Sequence, residues 1–350
     1  MRVIACATLA PALFGCLTVV AADAPERKLV TPPKLQVSLG YRWFRADHHF
    51  VGDVEQKYRE REHSQTINSI NLYDVGIAYN FTSRFRMTVT LPLEVMGRSQ
   101  VVRNSGGTIL DRFTTETAGL RDLRLTIDEW LRAPDPQLGW NAQIGFGVVM
   151  PTGNDAAKDV FETYDNASGR LVARQQPVDT SIQPGSGGWG LLLKLTGFAQ
   201  ISDHSRSYLE ASYTITPRGT NGVLTNLPNP YEAVISIADS YLARLGVEYR
   251  PPAAHGMNFS LGARLEGVPV RDLVGTSEGF RRPGYIVSAE PSVSVPLGRW
   301  SLALSVPVAV YRNRLQSVAD QEQTAATGIY QHGDVIYPNF SIICGISKRW

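Results

Sequence analysis

Period-two alternation of apolar and polar residues, held over about ten residues at a time, is the feature that most restricts what this chain can fold into. From Leu35 the odd positions are Leu35, Val37, Leu39, Tyr41 and Trp43, set against Gln36, Ser38, Gly40 and Arg42. The same period runs through 73–81, 85–95, 140–148, 241–249 and 300–310. A β-strand sends successive side chains to opposite faces, so each run has one face suited to an apolar medium and one to a polar medium. Strands of soluble sheets average about half this length. A tilted strand of about ten residues crosses the hydrocarbon of a bilayer.

Counting every such stretch gives twelve segments: 35–45, 70–81, 85–96, 120–132, 140–150, 189–201, 206–216, 239–250, 257–268, 285–297, 300–311 and 336–350. The connections alternate in length. Those at 82–84, 133–139, 202–205, 251–256 and 298–299 are short, whereas the six between them, such as 46–69, 97–119, 151–188, 217–238 and 312–335, are long and polar. Bacterial outer-membrane barrels have short periplasmic turns and longer outer loops. The predicted fold is therefore all-β: a transmembrane antiparallel up-and-down β-barrel of about twelve strands in the bacterial outer membrane, with both termini periplasmic. Phe81, Phe85, Trp140, Tyr249, Phe259, Trp300 and Trp350 gather at the short-turn ends, where an interfacial girdle belongs. The final segment puts Phe340, Ile342, Cys344, Ile346 and Trp350 on one face, the kind of terminal strand that barrel-assembly machinery reads. Lys348 interrupts that face, close enough to the end to snorkel to the interface.

The polar faces must point inward, because an arginine near the bilayer midplane costs about 2–4 kcal/mol. This assigns Asp74, Arg86, Glu94, Arg124, Asp128, Lys194, Glu210, Arg244, Glu248, Arg264, Glu266 and Glu290 to the lumen as a candidate substrate path. With the two signs nearly balanced, these groups either select solutes by charge or pair into a lattice that fills a narrow lumen. Both arrangements argue against a wide general porin. Pro92, Pro291 and Pro307 fall inside segments, where each removes a ladder donor and requires a bulge or a strand end. Glu129 lies on the apolar phase and Trp130 on the polar one, a mismatch that a bulge near Asp128 would exchange.

Residues 1–24 read as a signal peptide, with Arg2, an apolar stretch from Ile4 to Val20 and small residues at Ala21, Ala22 and Ala24 for cleavage. The mature barrel is then 25–350. A lipoprotein site at Leu13-Phe14-Gly15-Cys16 fits less well, because Phe14 is out of place and the apolar run continues past Cys16. Only Cys344 lies beyond the signal peptide, so there is no disulfide framework and no cysteine metal site. Thirty-four basic and 32 acidic residues leave a net charge of +2 and no basic stripe for nucleic acid. No cofactor is expected. The expected partners are outer-membrane lipid, a small solute, and the assembly machinery at the strand ending in Trp350.

Four short motifs stand out: Gly119-Leu120-Arg121-Asp122-Leu123, Val149-Met150-Pro151-Thr152-Gly153-Asn154-Asp155, Gln183-Pro184-Gly185-Ser186-Gly187-Gly188-Trp189, and Leu91-Pro92-Leu93. In these the chain resembles the outer-membrane family named for the meta-pathway of phenol degradation, whose strand pair reads G-x-x-D, P-T-G and then Q-x-G-x-G. The resemblance implies a channel or transporter for small solutes, aromatic or hydrophobic ones among them, and supplies no catalytic residues. The glycines at 185–188 lack the Lys-Ser/Thr of a phosphate loop and precede a strand, so they read as re-entry from a long loop into the barrel. Residues 151–155 read as a strand-exit turn in preference to a cation site at Asn154 and Asp155.

Two other function classes remain. Some barrels of this size are lipid or peptide hydrolases with rim histidines. Here His48, His49, His63, His204, His255 and His332 all avoid the alternating segments. Asp47-His48-His49 and His332-Gly333-Asp334 share the outer side, but no nucleophile motif accompanies them and they read as solvated loop residues. A structural or adhesive barrel would use loops such as the mixed-charge segment at 46–66, which reads as a solvated face.

Overall fold

The computed structural model describes residues 33–350 except 136, 226, 254 and 255, so the signal-peptide reading of 1–24 lies outside the described residues. The alternation becomes twelve antiparallel barrel strands. These are β1 (Leu35–Val51), β2 (Ile67–Asn80), β3 (Phe85–Arg103), β4 (Ile109–Leu120 continued by Leu123–Trp130), β5 (Trp140–Met150) and β6 (Gly190–Ser202). They continue with β7 (Ser205–Ile215), β8 (Ser240–Tyr249), β9 (Asn258–Val268), β10 (Gly284–Leu297), β11 (Trp300–Ser305 continued by Val308–Arg314) and β12 (Val335–Arg349). Each strand pairs with the next, and β12 pairs with β1 from Gln36↔Arg349 to Phe50↔Val335, so the sheet closes and leaves no edge.

The apolar phase faces out along every strand that the alternation marked. Phe146, Leu245, Leu261 and Val310 are exposed, while Gln36, Arg42, Asp74, Glu94, Asn141 and Glu290 are buried inside. Among the described residues no helix is long and apolar enough to cross a membrane. The aromatic girdle is in place: Phe81 packs on Phe85, and Trp140, Tyr249, Phe259, Trp300 and Trp350 are exposed at the short-turn end. Lys348 does not break that belt. Its Nζ lies 5.0 Å from the Trp300 ring and 4.8 Å from the Trp350 ring, where a cation rests on two aromatic faces.

Several boundaries differ from the sequence reading. The stretch at 97–119 is not a long loop: β3 and β4 stay paired up to Arg103↔Ile109, and only 104–108 turns. Beyond the hydrocarbon neither face needs to be apolar, so the alternation fades while backbone pairing continues. The expected bulge near Asp128 is absent, since Phe85↔Glu129 and Arg86↔Asp128 pair in unbroken register. Glu129 instead stays outside and meets Arg84 at 2.8 Å, and Trp130 points into the lumen.

The bulge lies seven residues earlier in the motif. Leu93 pairs with Leu120 but Thr90 pairs with Arg124, so three steps on β3 oppose four on β4. Arg121 and Asp122 consequently both turn inward and are buried. Pro92 sits across this break, where its missing N–H is not needed and its carbonyl accepts from the Arg121 amide at 2.9 Å. Pro291 and Pro307 flank the gap in β11. There the Val306 amide donates to Pro291 O and the Ser341 amide donates to Pro307 O, both at 3.0 Å.

The largest departure is the upper lumen. Above Arg42 the inward residues become apolar: Phe44, Ala46 and Phe50 on β1, Ile70 and Leu72 on β2, Met96 on β3, Ile286 on β10, and Val335, Ile336 and Tyr337 at the start of β12. Ala157, Val178 and Ile182 from the 151–189 connection pack against them, with Ala238 from the 216–239 connection. The hydrophobic core of this barrel is thus a plug of inward-folded connections at the long-loop end of the lumen.

Candidate functional site

Beneath that plug the lumen divides into two unequal halves. One half is filled by an ion-pair lattice. Arg42 on β1 reaches Glu266 on β9 at 2.8 Å, and Arg264 meets the same carboxylate at 2.9 Å. Arg264 also lies 3.7 Å from Glu290, which binds Arg244 at 2.9 Å, and Arg244 continues to Glu210 at 2.7 Å. Ser305 donates its hydroxyl to the remaining Glu290 oxygen at 2.5 Å. Buried charges at this depth are tolerable only when paired this completely.

The other half is a cavity of about 280 Å³ that runs from Trp130 and Thr196 near the short-turn end up to the plug. Its walls mix hydroxyls (Thr88, Thr90, Thr126, Ser212, Thr214) with apolar surface from Val149, Leu192, Tyr241 and Leu242. Gln183–Ser186 and Ile235–Ala238, all from inward-folded connections, form its roof.

The twelve charged positions singled out in the sequence sort between these halves. Arg86, Arg124, Asp128, Lys194 and Glu210 border the cavity. Asp128 is bound by Lys194 at 2.8 Å, and Arg86 donates from Nε to Asn80 at 2.8 Å. Arg244, Arg264, Glu266 and Glu290 belong to the lattice. Glu94 is buried against Arg121 at 3.0 Å, Glu248 pairs with Arg206 at 3.0 Å, and Asp74 is buried. Arg42 was readable as a lumen residue from its phase, whereas Arg121 and Asp122 were hidden by the bulge.

Asp122 holds the Gln183–Ser186 part of the roof. Its carboxylate accepts from the Gly153 amide at 3.0 Å and from the amide and hydroxyl of Ser186 at 2.9 and 2.6 Å. Thr152 adds a hydroxyl bond to Arg121 O at 3.0 Å and accepts from the Leu123 amide at 2.9 Å. Gly153 and Gly185 touch backbone to backbone, so a Cβ on either would run into the other. The G-x-x-D, P-T-G and glycine-rich segments therefore meet at one point, where both ends of the 151–189 connection are pinned to the barrel wall. Deeper in the plug, Asp179 of the same connection receives Arg282 at 2.8 Å and lies 3.7 Å from Arg98 on β3.

Of the histidines at the long-loop end, His49 departs from the solvated reading, whereas His63 is exposed as that reading expects. His49 and Asp334 do converge, buried, with Nδ1 2.9 Å from the carboxylate and Arg59 on the same group at 2.7 Å. Nε2 accepts from the Thr66 backbone amide at 2.9 Å, so the nitrogen that a general base would use is already committed.

At the rim, burial and the nearby Asp320 carboxylate push the Glu232 carboxyl above the usual range. A carboxyl raised in the folded state adds stability below its unfolded value and loses it as pH rises through the raised value. Protease resistance of the long loops should increase on acidification, and Glu232→Gln should flatten that dependence.

No family model matches this sequence, and no curated protein does either. Solved structures do. The crystal structure of the COG4313 outer membrane channel from Pseudomonas putida F1 superposes with a TM-score of 0.57 at 11% identity, covering 94% of this chain and 99% of that one. The fold is that of an outer-membrane barrel. The translocator domain of autotransporter NalP from Neisseria meningitidis matches at TM-score 0.47 and 12% identity, over 91% of this chain and 88% of that one. The Pseudomonas putida toluene transporter TodX matches at TM-score 0.46 and 8% identity, over 91% and 90%.

Proposed function

We propose that this protein is a restricted channel of the bacterial outer membrane for small solutes, aromatic or hydrophobic ones among them. The observation that carries this reading is the lumen cavity of about 280 Å³, with one wall of paired charges and a roof built from the inward-folded connections. That volume lies just below the about 300–1,000 Å³ of drug-sized pockets and suits a single-ring molecule. Trp130 and Tyr241 offer ring faces, and the threonine and serine hydroxyls offer hydrogen bonds to one polar substituent. The motifs in which the chain resembles the meta-pathway family support the same assignment, because Gln183–Ser186 is part of the roof and the others pin it. In this reading the cavity-bordering charges Arg86, Arg124, Asp128, Lys194 and Glu210 flank the path, and the lattice charges narrow it. The short turns and both termini face the periplasm, and the aromatic end of β12 is the signal for barrel assembly. The committed Nε2 of His49 weighs against a hydrolase.

Reconstitution tests the reading. Proteoliposomes carrying the folded barrel should take up a neutral single-ring phenol faster than empty vesicles, and planar bilayers should show small, discrete conductance steps. Silent bilayers together with unchanged uptake would reject a channel.

A further inference from the structure

We propose a second site, independent of the lumen, on the outer rim: a divalent transition-metal cation of the zinc class held by His48, Glu55 and Glu60. Nothing in the sequence marks it, because the three ligands come from three local elements. His48 lies near the outer end of β1. The chain then turns at Gly52, which takes the positive φ of 62°, and returns so that Glu55 pairs with Phe50 and Val54 with Val51. The short helix α1 (Tyr58–Arg61) follows and presents Glu60.

One donor atom from each of the three residues lies within 4.8 Å of the other two. His48 Nδ1 is 2.6 Å from Glu55 Oε1 and 3.4 Å from Glu60 Oε1. A tetrahedral zinc ion with ligands at about 2.0–2.1 Å sets them roughly 3.3 Å apart, so one edge of the triangle is already right and one must widen slightly. Two carboxylates and an imidazole leave a fourth position for water, and the imidazole selects zinc, cobalt, nickel or copper over the hard ions calcium and magnesium. The cation in the way is Lys57, 3.9 Å from the other Glu55 oxygen and 74% exposed, so it swings aside at little cost.

The surroundings also supply an outer partner. A metal on Nδ1 leaves the ring proton on Nε2, where Asp47 Oδ1 waits at 3.5 Å, the carboxylate–histidine–metal arrangement that orients metal ligands. Binding gives up the hydrogen bond between Nδ1 and Glu55 and the contact from the Asn339 amide nitrogen to Nε2 at 2.6 Å; Asn339 is exposed, and it shifts together with Arg312, whose Nη2 donates to its Oδ1 at 2.6 Å. A bound ion would tie the 52–66 connection to β1 at the rim.

The experiment uses the full folded barrel in detergent, without a polyhistidine tag. Cobalt(II) is titrated while its visible absorption is followed, and zinc(II) binding is measured by calorimetry. One equivalent of each should bind, zinc should displace cobalt, and millimolar calcium should not. His48→Ala should weaken binding by roughly 100-fold, and Glu55→Gln and Glu60→Gln by about tenfold each, whereas His332→Ala should leave it unchanged. The proposal is overturned if the native chain shows no saturable binding, if calcium displaces cobalt, or if His48→Ala binds as well as native. Heat-modifiable gel migration reports folding of each variant. Should His48→Ala not fold, Glu60→Gln on the exposed helix decides: unchanged affinity there overturns the site.

Discussion

Asp122→Ala should make the barrel open about ten times more often than the native protein. The carboxylate binds three donors at the two ends of the roof-forming connection, Gly153 N, Ser186 N and Ser186 Oγ. Hydrogen bonds to a charged acceptor contribute about 1.5–3 kcal/mol each. Even if solvent replaces most of that, a net loss of about 1.4 kcal/mol multiplies the released state tenfold. Single-channel recording in planar bilayers should therefore show opening frequency rising by about ten times or more. Asp122→Asn, which keeps one acceptor oxygen but aims an amide at a donor, should fall between. Traces identical to the native protein would mean that the roof is held elsewhere, by Asp179 with Arg98 and Arg282, and that Asp122 serves only the bulge.

The second large effect is expected at Glu266. Its carboxylate joins Arg42 and Arg264, all three buried, and the chain of pairs continues through Glu290 and Arg244 to Glu210. Removing one partner from a buried ion-pair network costs about 3–5 kcal/mol, because charge remains where water cannot easily reach it. Glu266→Ala should lower the urea stability of the folded barrel in lipid vesicles by that amount. Replacing the triad with Arg42→Met, Glu266→Leu and Arg264→Met should recover most of it, since apolar side chains of similar volume often substitute well for a buried pair. If Glu266→Ala unfolds within about 1 kcal/mol of native, the lattice is bathed in water, and it belongs to the solute path instead of closing half of the lumen.

How much of this was legible depends on which medium each side chain meets. Where one face touches hydrocarbon and the other a polar lumen, as along 85–95 or 241–249, the period of two survives and gives strand, register and orientation. It fails where both faces are alike. Phe44, Ala46 and Phe50 point inward at a level where the lumen is apolar, and Arg98 and Gln100 lie where β3 and β4 stay paired past the alternating stretch, so neither stretch announces itself. A single inserted residue at Arg121-Asp122 inverts the phase of β4, and its only trace in the sequence was Pro92 on the neighbouring strand. The lattice was half readable: Arg244, Arg264, Glu266, Glu210 and Glu290 all sat on the polar phase, but which of them touch depends on closure of the barrel. The meeting of His49 with Asp334, from opposite ends of the chain, has no local signal.

The contact between Gly153 and Gly185 reaches beyond this one molecule. Because the two backbones touch at the barrel wall, the span between them leaves and returns at one point, and its length does not strain the strands on either side. Residues 154–184 form an insert whose length the wall does not fix, tied to the barrel inside by Asp179 on Arg98 and Arg282 and by Val178 and Ile182 in the apolar plug. An exchange that keeps those residues would reshape the roof of the cavity while the cylinder, its register and its outward-facing surface stay as they are. A scaffold of this kind can diversify by swapping an insert, with no need to redesign the wall that holds it.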